Sequence, residues 1–475
     1  MNKIRRNLIF IRVKLNIYKS ILFMPKITQS IFPFNGEVIA EYPYLSQSAV
    51  EQKIRRAEKA FAYWKNTSIT QRADLQRNAA KILLENKEKY AALITGEMGK
   101  IISEARAEVE KCAFGLNFYA DNAEKMLADE AAQTDTNCLI AHEPIGCVFA
   151  IMPWNFPFWQ AFRFSAATLM AGNVSLLKHA PNVSGCSLAI EEVYRLAGYP
   201  EGVFQSLVMD LDLTEFVISQ NIVQGVTLTG SERAGASVAA LAGKHIKKSV
   251  LELGGSDPVL ILDDADVANA AKISVFSRMM NAGQSCIAAK RFLVTPKNYE
   301  QFAHEVKTLI SNIKQGDPFD VDTQMGPIAR LDLAENLYQQ VRKSVQSGAK
   351  RVLGGLHDGC NFEPTFLLDI NTTMPVMTEE TFGPLASIYV VENEQLMIEI
   401  ANQTSLGLGA SIYSEDREKA LAIARKINSG SVFINSMVKS DPRIPFGGVK
   451  KSGYGRELAI YGMREFTNVK TIAIY

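Results

Sequence analysis

Gly146-Cys-Val-Phe-Ala-Ile151 opens the stretch, reaching to Gly255, whose reading decides the fold. Short apolar runs at 147–151, 174–177, 203–208 and 223–228 alternate with helical patterns near 158–171 and 184–196. Apolar runs without polar alternation suit strands buried on both faces, the condition of a parallel sheet covered by its own crossover helices. A doubly wound sheet of this kind offers a ligand crevice at the carboxyl ends of its strands.

Upstream, residues 45–129 read as helices, and Ser68-Ile-Thr-Gln71 has the Ser-x-x-Gln form of a capping box. Polar and β-branched residues alternate loosely over 132–143, as in Gln133-Thr-Asp-Thr136, which predicts an exposed strand able to pair with another chain. A second α/β stretch starts at Pro258-Val-Leu-Ile-Leu262 and runs through Ile434. The final segment, 453–475, ends in the strand-like Val469-Lys-Thr-Ile-Ala-Ile-Tyr475. With 475 residues, 47% of them hydrophobic, the chain can bury large cores in two or three domains without staples.

Lys and Arg number 51 against 50 Asp and Glu, so the net charge of +1 predicts neither a nucleic-acid nor a membrane partner. The cysteines (Cys112, Cys138, Cys147, Cys186, Cys286, Cys360) show no CxxC and no disulfide ladder, which favours a reducing, cytoplasmic setting. The histidines form no HxxxH or Cys/His cluster, and no metal centre is expected. Residues 1–23 carry basic residues among Ile, Leu and Phe. Arg12 and Lys14 break any signal-like apolar core, and the apolar runs are far below the ~20 residues of a membrane span. The segment is read as a disordered tail or an upstream extension before a start at Met24, in preference to a targeting helix.

The chemistry-bearing residues begin at Thr229-Gly-Ser-Glu-Arg-Ala-Gly235, where a strand runs into a turn at Gly230 and Ser231 can cap the next helix. Free N–H groups at such a helix end can receive a pyrophosphate, although a plain strand-turn-helix has the same pattern. In Asn281-Ala-Gly-Gln-Ser-Cys286, Gly283 relieves crowding beside the cysteine, and a helix starting after Cys286 would favour its thiolate. Glu252, in Leu251-Glu-Leu-Gly-Gly255, ends an apolar strand, where an idle charge would be costly. A nucleophile and a base are the roles these two suit.

Taken in order, Pro153-Trp-Asn-Phe-Pro157, Gly172-Asn-Val-Ser-Leu-Leu-Lys178, Thr229-Gly-Ser231, Leu251-Glu-Leu-Gly-Gly255, Gly283-Gln-Ser-Cys286, Glu380-Thr-Phe-Gly-Pro384 and Pro445-Phe-Gly-Gly448 resemble the aldehyde dehydrogenase superfamily. The resemblance spans about 26–475. It implies attack of Cys286 on an aldehyde, an oxyanion held by the Asn155 amide and the Cys286 N–H, oxidation by NAD or NADP, and hydrolysis of the thioester with Glu252 as base. It further implies that Trp154, Lys178, Gly230, Ser231, Glu380 and Phe382 hold the cofactor. Many NAD-preferring relatives carry a glutamate three residues after the lysine; here Lys178-His-Ala-Pro181 lacks it, which leaves NADP open.

The stretches around Lys178, Ser440 and Lys450 look most like bacterial-type succinate-semialdehyde dehydrogenases, and in such relatives an arginine eight residues after the asparagine faces the substrate. Arg163, with Arg443, would then bind a distal carboxylate; the alternative for Arg163 is an ion pair. The resemblance implies an α/β fold with a dinucleotide-binding domain of 24–123 and 143–252, a catalytic domain of 253–452, and a small β oligomerisation element of 124–142 and 453–475. A homodimer or homotetramer is expected, with a small-molecule aldehyde as substrate. Two other readings are a general aldehyde dehydrogenase and a thiol hydrolase acting through Cys286. The hydrolase needs a histidine partner, and the nearest in sequence, His304, has no accompanying motif.

Overall fold

The computed structural model describes residues 26–134 and 137–475, so the expectation for 1–23 lies outside the described residues. The 146–255 stretch forms the parallel part of a six-stranded sheet, with spatial order Gly453–Tyr454, Lys248–Glu252, Val223–Thr229, Cys147–Met152, Val174–His179 and Phe204–Ser206. Its register aligns Phe149 with Leu176 on one side and Val226 on the other, all fully buried. The chain order reverses between Cys147–Met152 and Val223–Thr229, so the crevice at their carboxyl ends lies at a topological switch point. The loops that leave these two strands carry Trp154-Asn155 and Gly230-Ser231.

The helices expected upstream are Gln47–Trp64, Ile69–Glu85, Lys87–Met98 and Ile102–Met126. Ser68 and Gln71 make both bonds of the capping box. A hairpin of Ile27–Phe32 and Glu37–Pro43, absent from the sequence reading, precedes them. Its pattern is mostly exposed and so lacks the apolar alternation by which a half-buried strand is recognised.

A seven-stranded sheet follows, in spatial order Lys350–Leu353, Thr365–Leu368, Leu385–Val390, Arg291–Val294, Pro258–Ile261, Gly409–Tyr413 and Ser431–Ile434. Only the first pairing is antiparallel. Two separate apolar clusters contribute to its packing, one containing Leu260, Leu293 and Ile412, the other Val259, Phe292 and Val294.

The terminal segment divides. Gly453–Tyr454 joins the six-stranded sheet antiparallel to Lys248–Glu252, with Gly453 opposite Glu252, and only Thr467–Ile474 pairs with Asn137–Pro144. Phe466 pins the segment between them. Its carbonyl accepts from Asn173 Nδ2 at 2.8 Å, and its ring lies so close to Gly225 that a Cβ there would be 2.5 Å from Cδ1. Gly225→Ala should therefore cost about 1–3 kcal/mol through overpacking against a ring held from behind. Denaturant unfolding checks it, and an unchanged midpoint would show that Phe466 moves freely.

Candidate active site

The cysteine loop is built from conformations that need outside support. Asn281 (φ 57°), Ala282 (φ 51°) and Gly283 (φ 70°) all lie in the left-handed region, which is uncommon for the first two residue types. The Asn281 N–H donates to both oxygens of Glu104, at 3.1 and 3.0 Å, and its side-chain amide donates to Asn155 O at 2.8 Å. Burial pushes Glu104 up to about 7. A Cβ at Gly283 would run into the Gly383 carbonyl, so glycine is required there by both φ and space. Buried Arg278 donates to the carbonyls of Gly283 and Gly383 and holds the two loops together.

The same closeness recurs at Gly255, where a Cβ would strike the Cys286 carbonyl oxygen. Lys290 Nζ donates to that carbonyl at 2.6 Å and to Glu380 Oε1 at 3.2 Å, and Gly255 N donates to the same carboxylate oxygen at 3.0 Å. The Leu251–Gly255, Gly283–Cys286 and Glu380–Pro384 stretches thus meet backbone to backbone.

Cys286 itself is half-buried. The expected helix after it is absent: the chain turns through Ile287-Ala-Ala and enters the strand Arg291–Val294. The physical reason is the return of Lys290 onto the Cys286 carbonyl, which ties the following residues into a turn. No helix end favours the thiolate, and burial pushes the thiol up to about 12 against the pull of Lys290 and Arg163. Asn155, 4% exposed, donates from Nδ2 to Gln284 O at 3.0 Å, beside the cysteine.

Glu252 is 2% exposed, and neither carboxyl oxygen has a hydrogen-bond partner among the described residues. Burial first, and then the like charge of Glu457, raise it well above the usual carboxylate range. Arg163 on the helix Pro157–Met170 is ion-paired with Glu457, donates to Thr229 Oγ1 at 3.1 Å and stacks 4.8 Å from the Phe446 ring centroid. The ion-pair reading of Arg163 is the one seen here; the side chain also lines a cavity of about 1260 Å³ together with Cys286, Ser285, Lys111, Trp159 and Phe446. Arg443 is not brought in: its guanidinium is clamped by Asp441, at 2.9 and 2.6 Å, and it is not among the lining residues. The short Asp441-Pro-Arg443 spacing makes the local carboxylate its nearest partner.

No histidine is among the residues that line the cavity, and His304 is exposed on the helix Pro296–Ser311. His179 is buried, with its ring nitrogens on the carbonyls of Met152 and Pro157, and burial pushes it down to about 4. The thiol-hydrolase reading lacks its base.

At the switch point, the residues fit a dinucleotide. A Cβ on Gly230 would meet nothing nearer than Leu228 Cδ2 at 3.5 Å, so the protein's own packing does not require this glycine. The space above it is open to the close approach of a ligand. Ser231 caps the helix Glu232–Lys244 by accepting from Ala234 N. Lys178, 4% exposed at the end of its strand, makes no ion pair among the described residues, and burial lowers its ammonium. Glu380 lies over Gly254, where a Cβ would be 2.5 Å from Oε2, and the Trp154 and Phe382 rings meet edge to face at 5.7 Å.

Lys290, Glu457, Glu104 and Lys111 went unassigned in the sequence reading. Lys290, after two alanines, was the one charged residue in a sterically tight run and carried a usable signal. The others are ordinary charges on helices or loops until the fold buries them.

The aldehyde dehydrogenase family model matches residues 24–472. A protein of Synechocystis sp. named a probable succinate-semialdehyde dehydrogenase (NADP(+)) is 46% identical over 94% of this chain and 99% of its own. Succinate-semialdehyde dehydrogenase (NADP(+)) 1 of Mycobacterium bovis is 43% identical over the same shares. The crystal structure of succinic semialdehyde dehydrogenase from Streptococcus pyogenes in complex with NADP+ superposes with a TM-score of 0.92 at 37% identity, over 94% of this chain and 99% of that one.

A thiol held near 12 titrates far above neutrality. In the cofactor-free protein, alkylation of Cys286 should therefore quicken roughly tenfold per pH unit from 7 to 9. Peptide-resolved mass spectrometry with iodoacetamide reads the rate, and a plateau below pH 8 would mean the thiolate is already formed.

Proposed function

The chain belongs to the aldehyde dehydrogenase family, and from that premise we propose which residues carry its reaction and which aldehyde it takes. The enzyme oxidises an aldehyde to a carboxylic acid with NAD or NADP. The observation that carries the residue assignment is the backbone-to-backbone meeting of the Glu252, Cys286 and Glu380 loops beside the cavity.

Cys286 is the nucleophile that adds to the aldehyde carbon. The second amide proton of Asn155 and the Cys286 N–H hold the oxygen as it gains charge. Trp154, Lys178, Gly230, Ser231, Glu380 and Phe382 would hold the dinucleotide, which supplies the two-electron acceptor of the oxidation. Glu252 then draws a proton from the water that hydrolyses the Cys286 thioester. The burial that raises its carboxyl also makes the ionised form the stronger base.

The substrate is succinate semialdehyde, as in the relatives named above; the positive wall of the cavity supports a carboxylate at its far end. A general aldehyde dehydrogenase is the alternative. NADP is the preferred cofactor, since position 181 is proline and Lys178 makes no ion pair among the described residues. The six-stranded sheet and its helices form the dinucleotide-binding domain, the seven-stranded sheet the catalytic domain. Thr467–Ile474 stands at the edge of its small sheet, with Val469 and Ile474 62% and 58% exposed, which supports pairing into a homodimer or homotetramer. The cysteines described are all free, which suits the cytoplasm.

Cys286→Ala should abolish cofactor reduction, whereas Glu252→Gln should still form the thioester and then turn over at least roughly a hundredfold more slowly. A single-turnover burst separates the two steps, and unchanged deacylation in Glu252→Gln would remove it as the base. Pro181→Glu should lower kcat/KM with NADP by roughly tenfold or more through like-charge repulsion of the 2′-phosphate, while sparing NAD. Equal effects on both cofactors would count against this position.

A further inference from the structure

Among the cations that line the cavity, Arg163 is already ion-paired with Glu457, and Lys272 and Lys439 are exposed. Lys111, on the helix Ile102–Met126, is different: it is half-buried in the wall and makes no ion pair among the described residues. Its ammonium lies 4.3 Å from the centroid of Trp159, which also lines the cavity.

The carboxylates close enough to act on it are committed elsewhere. Glu108, one turn earlier, is bound through Oε2 by Lys100 and through Oε1 by the N–H groups of Phe158 and Trp159, both at 2.9 Å. Asp441 is clamped by Arg443. The charge is therefore partly desolvated with no counter-ion, a costly arrangement unless an anion arrives. Burial, followed by the positive charge of Arg163, pulls this ammonium down to about 8.

We propose that Lys111 binds the distal carboxylate of the aldehyde, with the aldehyde carbon at Cys286 on the same cavity wall. Arg163, ion-paired with Glu457 through Nε and donating to Thr229 through Nη2, contributes positive field. The assignment rests on the reading that the substrate is a carboxylated aldehyde. A carboxylate that completes the missing ion pair gains more than one laid against an exposed lysine, because the aromatic wall excludes water.

The test compares succinate semialdehyde with butanal, at saturating NADP, in the wild type, Lys111→Met and Lys111→Arg. Lys111→Met should lose roughly thirtyfold in kcat/KM on the semialdehyde, mostly in KM, and change by less than about threefold on butanal. Lys111→Arg, which keeps the charge, should retain more of the preference. In the wild type the ratio of the two kcat/KM values should fall as pH rises through about 8, where the free ammonium loses its proton, and in Lys111→Met it should be flat. Arg163, Cys112, Glu108 and Asp441 also act on Lys111, and Glu104 lines the same cavity; Lys111→Met keeps all of them, so the difference between the wild-type and variant ratios isolates the lysine. A wild type that prefers the semialdehyde together with a Lys111→Met variant that keeps the preference would overturn the lysine alone. A wild type with no such preference would overturn the substrate reading and the lysine with it.

Discussion

Three backbone segments from three parts of the chain come closer at this site than any side chain would permit. Gly255 lies on the Cys286 carbonyl, Gly283 lies on the Gly383 carbonyl, and Gly254 lies under the Glu380 carboxylate. Lys290 and Arg278 then fasten the contacts by donating into the carbonyls that face them. The constraint is steric before it is electrostatic: a single Cβ at Gly255 or Gly283 would force the facing loops apart. Because the strand Lys248–Glu252 of the six-stranded sheet is followed directly by Pro258–Ile261 of the seven-stranded one, this short glycine link also joins the two sheets.

Around that contact the charges are mutually dependent. Glu252 is raised by burial and by Glu457, and Glu457 is itself raised by burial while Arg163 draws it down. Arg163 in turn depresses Lys111 on the neighbouring helix and helps to lower the Cys286 thiol. A ligand that alters one of these groups therefore alters the others, since each lies within the field of the next. Burial thus raises the proposed nucleophile and the proposed base alike above their ordinary ranges.

The legible parts of the fold were those with a strong local period. The buried strands around Phe149, Leu176 and Val226 declared themselves by unbroken apolar runs, and the Ser68 box by two residues at fixed spacing. The hairpin Ile27–Phe32 and Glu37–Pro43 did not, because its strands bury few side chains. The split of the terminal segment between two sheets was equally hidden: Gly453 pairs with Glu252 across some two hundred residues of chain, and no local pattern encodes such a partner.

The site divides in the same way. Sequence alone determined which residues the proposed chemistry is built on, Cys286 with Glu252 and Asn155, since their motifs are contiguous along the chain. It misread the environment of the cysteine, expecting a helix where Lys290 makes a turn. Only the tertiary structure decided which charges are spent and which are free: Arg163 meets Glu457, Arg443 meets Asp441, and Lys111 meets no anion among the described residues. The reason is physical, since the worth of a charge depends on its distance to partners and to water, and both are set by elements far apart along the chain.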